Sequence, residues 1–110
     1  MSELVHQHCT PLPPGTPPLA AAEQAALLGQ LDPAWRIVDG HHLEREYRLA
    51  DFARGLALVD AIGALAQAED HHPELLLAWG RVRVRLWTHS VGGLSRNDFI
   101  LAARIDRLAP

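Results

Sequence analysis

The stretch DFARGLALVDAIGALAQAEDHHPELLLAWGRVRVRLWTH, residues 51–89, changes its hydrophobic period once, and that change decides the fold. In its first half Phe52, Leu56, Val59, Ile62 and Ala66 recur at helical spacing. Asp51 stands just ahead of them, where a helix needs a side-chain acceptor for its free N–H groups. The spacing therefore predicts a helix from Phe52 to about Ala68. Pro73 disfavours helical geometry at His72, so the helix stops at or before the two histidines. The period then becomes two: Leu75 to Trp79, a Gly80 turn, and Arg81 to Thr88 read as an antiparallel hairpin. Val82, Val84, Leu86 and Thr88 share one face of its second strand, and Arg83, Arg85 and Trp87 share the other.

Working outward, Trp35 to Val38, the turn pair Asp39-Gly40, and the alternating run His42 to Leu49 form a second hairpin signal. Leu43, Arg45, Tyr47 and Leu49 point one way, and His42, Glu44, Glu46 and Arg48 form a wet face. Upstream, the alanine-rich run that starts at Leu19 is made of good helix formers and ends near Gly29 to Pro33. Downstream, Gly92-Gly93 permits a bend and Ser95 opens a last helix. Asp98 lies three residues on, and Leu101, Ile105 and Leu108 continue one side. The predicted order is α-β-β-α-β-β-α, an α+β domain in which a four-stranded antiparallel sheet is covered by helices on one face. Residues 1–18 contain five prolines, at 11, 13, 14, 17 and 18. They read as a flexible arm outside the core, leaving 19–110 as the domain.

A chain of 110 residues with 48% hydrophobic content is one ordinary domain, so one site is sought, completed if need be by oligomerisation. The formal net charge of −3 argues against a nucleic-acid surface, which shows a clustered basic face. All ten basic residues are arginines. The stripe of Arg81, Arg83 and Arg85 is expected to face solvent or another subunit, with cross-strand glutamates for partners. A single cysteine, Cys9, cannot form an internal disulfide and no apolar run approaches a membrane span, so a soluble cytoplasmic protein is expected.

Seven histidines are present, and three of them, His71, His72 and His89, cluster with Glu69 and Asp70 around the second hairpin. Imidazole both gives and takes protons near neutral pH, so the cluster points to proton transfer. The competing reading of each histidine alone is a structural or exposed side chain. Three imidazole nitrogens with Asp70 or Asp98 also offer a metal-ligand set, but no HExxH or cysteine pair accompanies them, so no metal is expected. Asp98 has a second reading, as the acidic member of a capping box with Ser95. Trp79 and Trp87 are either stacking surfaces for a flat ligand or core and interface residues. His6, His8 and Cys9 read as a solvated tail cluster, and His41 and His42 as exposed turn residues.

From about Leu19 to Leu108 the chain resembles the pterin-4a-carbinolamine (4a-hydroxytetrahydrobiopterin) dehydratases. The resemblance is carried by Trp35, by Tyr47-Arg48-Leu49-Ala50-Asp51-Phe52-Ala53 and by Glu69-Asp70-His71-His72-Pro73-Glu74. It continues through Trp79-Gly80-Arg81-Val82, Trp87-Thr88-His89 and Gly92-Gly93-Leu94-Ser95-Arg96-Asn97-Asp98-Phe99. Departures fall at Leu75, where several relatives carry an aromatic, and at Ser90, where many carry a charge. The resemblance implies the same α+β fold and a homodimer or homotetramer. It implies a hydro-lyase without a cofactor that removes water from a 4a-hydroxytetrahydropterin to give quinonoid dihydropterin, recycling the tetrahydropterin used by aromatic amino acid hydroxylases. Its active-site residues correspond to His71, His72, His89 and Asp98.

Dehydration needs a proton delivered to the departing hydroxyl and another removed from the adjacent ring nitrogen. His71 and His89 are the expected proton-transfer pair, and His72 a substrate-orienting or second acid group. Asp98 would fix an imidazole tautomer, and Trp79, Trp87 and Thr88 would complete the substrate site. The alternative from another class is a non-enzymatic scaffold, an assembly factor or coactivator acting through its oligomer surface.

Overall fold

In the computed structural model, which describes residues 4–108, a single 3-10 turn (Leu4–His6) precedes α1 (Ala21–Leu28), β1 (Arg36–Val38), β2 (His42–Arg48) and α2 (Phe52–Glu69). Then follow β3 (Glu74–Ala78), β4 (Arg81–Leu86) and α3 (Arg96–Asp106). The expected α-β-β-α-β-β-α order and the antiparallel sheet are both present, with strand order β1-β2-β4-β3. Residues 1–3 and 109–110, the outer ends of the expected arm and domain, lie outside the described residues.

Turn chemistry sets the hairpins. Asp39 and Gly40 both have positive φ, 56° and 61°, and the His41 N–H donates to the Val38 carbonyl at 2.9 Å. That is the primed turn whose twist matches the strands it joins. Between the hairpins, β2 pairs with β4 so that Leu43 faces Leu86 and Tyr47 faces Val82, while Glu44 faces Arg85 and Glu46 faces Arg83. Alternation therefore gives one apolar face and one ionic face. On the ionic face Glu44 is not wet as expected: it is 6% exposed. Its carboxylate accepts from Arg36 and from Arg85 Nε, the latter at 2.7 Å, and these charge-assisted bonds make its burial tolerable. Hydrogen bonding by Arg85, and then by Arg36, holds the Glu44 carboxyl below the usual carboxylate range against the opposing effect of burial.

Asp51 caps α2 as expected, accepting the Arg54 N–H at 2.9 Å. The buried face of α2 is a correction. Gly55, Leu58, Ile62 and Ala66 face the sheet, whereas Phe52 and Leu56 are 45% and 44% exposed. The reason is close approach at Gly55, where a Cβ would stand 2.8 Å from Leu77 Cδ1. The helix presses its bare backbone against β3 and turns the larger Phe52 and Leu56 outward. At its other end Asp70 adopts the left-handed conformation (φ 51°) and the His71 N–H donates to the Ala66 carbonyl at 3.2 Å. This Schellman-type closure redirects the chain sharply at His71.

Helix α3 is buried from Asn97 to Ala103 and again at Ile105, while Leu108, expected on the same side, is 39% exposed beyond the helix end. The arm supplies part of its cover, which corrects the reading of residues 1–18 as lying outside the core. Leu4 is fully buried, Arg104 Nη1 donates to the Gln7 carbonyl at 3.1 Å, and Arg96 Nε donates to Gln7 Oε1 at 2.9 Å. The prolines keep the following segment extended and mostly exposed, but they say nothing about the residues before them. At the far end of α3, Asp106 accepts from the Asp32 N–H (3.0 Å), Trp35 Nε1 (2.7 Å) and Arg45 Nη1 (2.7 Å), joining the helix to β2 and to the segment that leads into β1. Among the described residues no helix is long and apolar enough to cross a membrane.

Candidate active site

His71 and Asp98 meet where the end of α2 approaches the start of α3. The Schellman-type closure points His71 toward α3, and the N-cap Ser95 places Asp98 in its first turn. His71 Nε2 lies 2.6 Å from Asp98 Oδ1, with the imidazole 11% exposed and the carboxylate fully buried. With the carboxylate as acceptor, Nε2 carries the hydrogen and Nδ1 is the ring's basic atom. Asp98 Oδ2 accepts the Ser95 N–H at 2.9 Å and the Thr88 hydroxyl at 2.8 Å. Since Thr88 spends its hydrogen on Asp98, the Ser95 hydroxyl donates to Thr88 Oγ1 at 2.6 Å. The two readings of Asp98 therefore coexist in one side chain, which both caps α3 and orients an imidazole.

Beside this pair lies a cavity of about 240 Å³, open to solvent on one side and lined by His71, Thr88, Asn97 and Glu69 together with the arm residues Cys9 to Leu12. That is below the roughly 300–1,000 Å³ of drug-sized sites, a scale suited to a small ring system. An imidazole lining such a pocket, with its tautomer fixed by a buried carboxylate, can accept a proton from a bound molecule and return it.

The remaining expected site residues are placed differently. Thr88 is buried and hydrogen-bonded to Asp98 and Ser95, so within this chain it supports the carboxylate. His72 is exposed, with Nε2 2.9 Å from Gln67 Oε1. His89 is exposed and packs at a tilt against Trp87, ring centroids 4.8 Å apart. Neither lines the cavity, although each follows a cavity-lining residue directly in the chain. Trp79 sits in the β3–β4 turn, 73% exposed, and the hairpin separates it from His71 by about 16 Å of strand. Trp87 packs against His41 and His42 at centroid distances of 5.3 and 5.9 Å, so these two histidines are half-buried and not exposed as expected. Burial, and then the charges of Arg85 and His41, lower the His42 pKa. Among the described residues no group of three or more His, Cys, Asp or Glu side chains is arranged to hold a metal ion.

Sequence reasoning missed the tail's part in the site. Glu69 accepts the Cys9 N–H at 2.8 Å and pairs with His8 Nδ1 at 2.9 Å, and Cys9 is half-buried. Burial by itself raises the Glu69 pKa, but the hydrogen bonds from His8 and Cys9 and the Arg104 charge outweigh it, holding Glu69 below its ordinary value. Burial, reinforced by the charges of Glu69 and Asp98, pushes the Cys9 thiol from 9.0 up to about 12. Burial likewise pushes the Tyr47 hydroxyl from 10.0 up to about 12. Both groups keep in the folded state a proton that the unfolded chain releases. Their contribution to stability is complete below pH 9 and is lost as pH rises toward 12. The unfolding free energy from urea titrations should fall over that window, and less steeply in Cys9→Ala. A flat profile would contradict the burial of both groups.

Comparison with known proteins gives one consistent answer. A family model described as pterin 4 alpha carbinolamine dehydratase matches residues 17–108. A protein of Alkaliphilus metalliredigens is 42% identical over 107 residues, covering 97% of this chain and 96% of its own length. A protein of Chlorobium limicola is 48% identical over 107 residues, covering 94% of each chain. Both are provisionally named pterin-4-alpha-carbinolamine dehydratases. Among solved structures, a transcriptional coactivator/pterin dehydratase from Brucella melitensis superposes with a TM-score of 0.78 at 32% identity, covering 84% of this chain and 99% of its own. The order of elements, the residues gathered at the His71 cavity and these matches along nearly the whole length agree: the chain belongs to the pterin 4 alpha carbinolamine dehydratase family.

Proposed function

We propose that the protein is a hydro-lyase that removes water from a 4a-hydroxytetrahydropterin, and that His71 is its principal proton-transfer group. The observation that carries the reading is the His71–Asp98 pair at 2.6 Å, with the carboxylate fully buried and the imidazole lining a small cavity. In the reaction the C4a–O bond breaks as its oxygen takes up a proton. The hydrogen on N5 leaves as a proton, and the electron pair it frees forms the C4a=N5 double bond. One proton enters and one leaves, so the products are quinonoid dihydropterin and water. Nδ1 of His71 is suited to one of these transfers, with Asp98 stabilising the imidazolium formed when it takes a proton. His89 and His72, each next in the chain to a residue that lines the cavity, supply the second transfer and orient the ring.

The reading places the protein in the cytoplasm, in recycling of the tetrahydropterin oxidised by aromatic amino acid hydroxylases, and in a homodimer or homotetramer. Phe52, Leu56, Trp79 and Leu108 are exposed apolar side chains available to other copies. A coactivator or assembly role through that surface is the competing reading. The imidazole–carboxylate pair favours the enzyme, because a scaffold has no use for a buried carboxylate aimed at a cavity-lining histidine. The test follows loss of freshly generated 4a-hydroxytetrahydropterin by absorbance between pH 6 and 9. Acceleration over the spontaneous reaction is expected, and its absence with folded protein would overturn the enzyme reading.

A further inference from the structure

We infer that the arm segment Cys9–Leu12 is a substrate-contacting wall of the His71 cavity, and that Asn97 is the positioning residue that holds this wall in place. The inference deepens the dehydratase reading and rests on it. Cys9, Thr10, Pro11 and Leu12 line the same cavity as His71 and Thr88, although the family model begins only at residue 17.

The segment is fastened by both ends of the Asn97 amide. Oδ1 accepts the Thr10 N–H at 3.0 Å and Nδ2 donates to the Thr10 carbonyl at 2.8 Å. This satisfies both backbone groups of one residue, as a neighbouring strand would. Next to it the Cys9 N–H is held by Glu69 at 2.8 Å, and Cys9 Sγ lies 3.4 Å from the Asn97 carbonyl, to which the thiol donates. Asn97 adjoins Asp98 at the start of α3, and Glu69 lies two residues before His71 at the end of α2. The arm is therefore clamped by the same two helix ends that carry the imidazole and its carboxylate. Any displacement of the clamp moves the wall relative to Nδ1 of His71.

What the wall presents suits an uncharged planar ring. Pro11 has no N–H and a fixed φ, Leu12 is half-buried, and Cys9 carries a neutral thiol. Such a surface excludes water from one side of a reduced pterin and sets its distance from the imidazole without competing for protons. Its effect belongs in substrate binding more than in the chemical step.

Cys9 is the sole cysteine, so it reports on the wall directly. The experiment measures alkylation of Cys9 by iodoacetamide in the full chain, with and without saturating 7,8-dihydrobiopterin as a non-dehydrating probe, alongside steady-state dehydration. In wild type the pterin should slow alkylation at least fivefold. Asn97→Ala should speed alkylation of the ligand-free protein about tenfold. It should also lower kcat/KM about tenfold, with most of the change in KM. Thr10→Pro removes the N–H that Asn97 Oδ1 accepts while leaving every charge beside Cys9 in place; it should move the same quantities in the same direction, which keeps the test available if Asn97→Ala does not fold. Faster alkylation with unchanged KM would show that the arm is released but does not touch substrate, and would overturn the inference. An active wild type whose Cys9 the pterin fails to protect would overturn it too. If wild type does not dehydrate the substrate, the dehydratase reading fails. The wall then stands only if the pterin still protects Cys9, and falls with that reading if it does not.

Discussion

Asp98→Asn is expected to lower the dehydration rate about 10²- to 10⁴-fold, the span of a general acid or base step, while the protein stays folded. The substitution is nearly isosteric, but it removes an acceptor where both are in use. Ser95 N–H and the Thr88 hydroxyl donate to Oδ2, and His71 Nε2–H donates to Oδ1. An amide must keep its oxygen toward Ser95, because a backbone N–H cannot become an acceptor. Its NH₂ then faces His71 and donates to Nε2, which forces the imidazole hydrogen onto Nδ1. The nitrogen that does not face residue 98 is then a donor where in the wild type it is a base. Helix capping survives, at a cost of roughly 0.3–1 kcal/mol for losing a negative charge at the helix start. The measurement is kcat and KM of the variant beside a urea unfolding curve. Activity within threefold of wild type in a folded variant would show that the tautomer of His71 does not matter.

Asp106→Ala should have the largest effect on stability and little effect on chemistry. Its carboxylate, 18% exposed, faces the Arg45 guanidinium, which is 12% exposed, at 2.7 Å. It also accepts the indole N–H of Trp35, a residue 3% exposed. Removing it leaves a largely buried cation and a buried N–H without this acceptor, a loss of about 3–5 kcal/mol by the behaviour of broken buried pairs. That is a large part of the ~5–15 kcal/mol that a domain of this kind has in total. The urea midpoint should fall with an unchanged slope, and activity per folded molecule should persist, because Asp106 ends α3 whereas Asp98 begins it. A loss below about 1 kcal/mol would mean that Arg45 finds other partners, with Asp32, 3.7 Å away, the first candidate.

These two aspartates show how far the sequence could be read. The hairpins were legible because Asp39-Gly40 and Gly80 carry the backbone freedom their turns use, and because the alternation in β4 is strict and on the apolar side of β2 is broken only by Arg45. The existence of α2 was legible, but its rotation was not. Phe52-Leu56-Val59-Ile62-Ala66 and Gly55-Leu58-Ile62-Ala66 are both periodic, and the closest contact is made by a glycine, which carries no hydrophobic signal. The face of Glu44 follows from the alternation, but its burial depends on Arg36 and Arg85 closing over it.

In the site, Asp98 was reached by its spacing from Ser95 and by family resemblance, and His71 by its place in the Glu69–Pro73 run. The arm's clamp was not reachable. Glu69 with Cys9 and Asn97 with Thr10 are contacts across 60 and 87 residues, and no local pattern announces them. The proline run read as flexibility, although only its exposed part fits that reading. The division of the histidines also needed three dimensions. Adjacent side chains diverge, so His71 turns to Asp98 while His72 turns to Gln67.

If His71, oriented by Asp98, carries the proton transfer, His71→Ala removes it. Its dehydration of 4a-hydroxytetrahydropterin should be compared with that of wild type at equal concentrations of folded protein between pH 6 and 9. A fall of at least 100-fold, toward the spontaneous rate, is the predicted result. A folded variant within threefold of wild type throughout that range would contradict it.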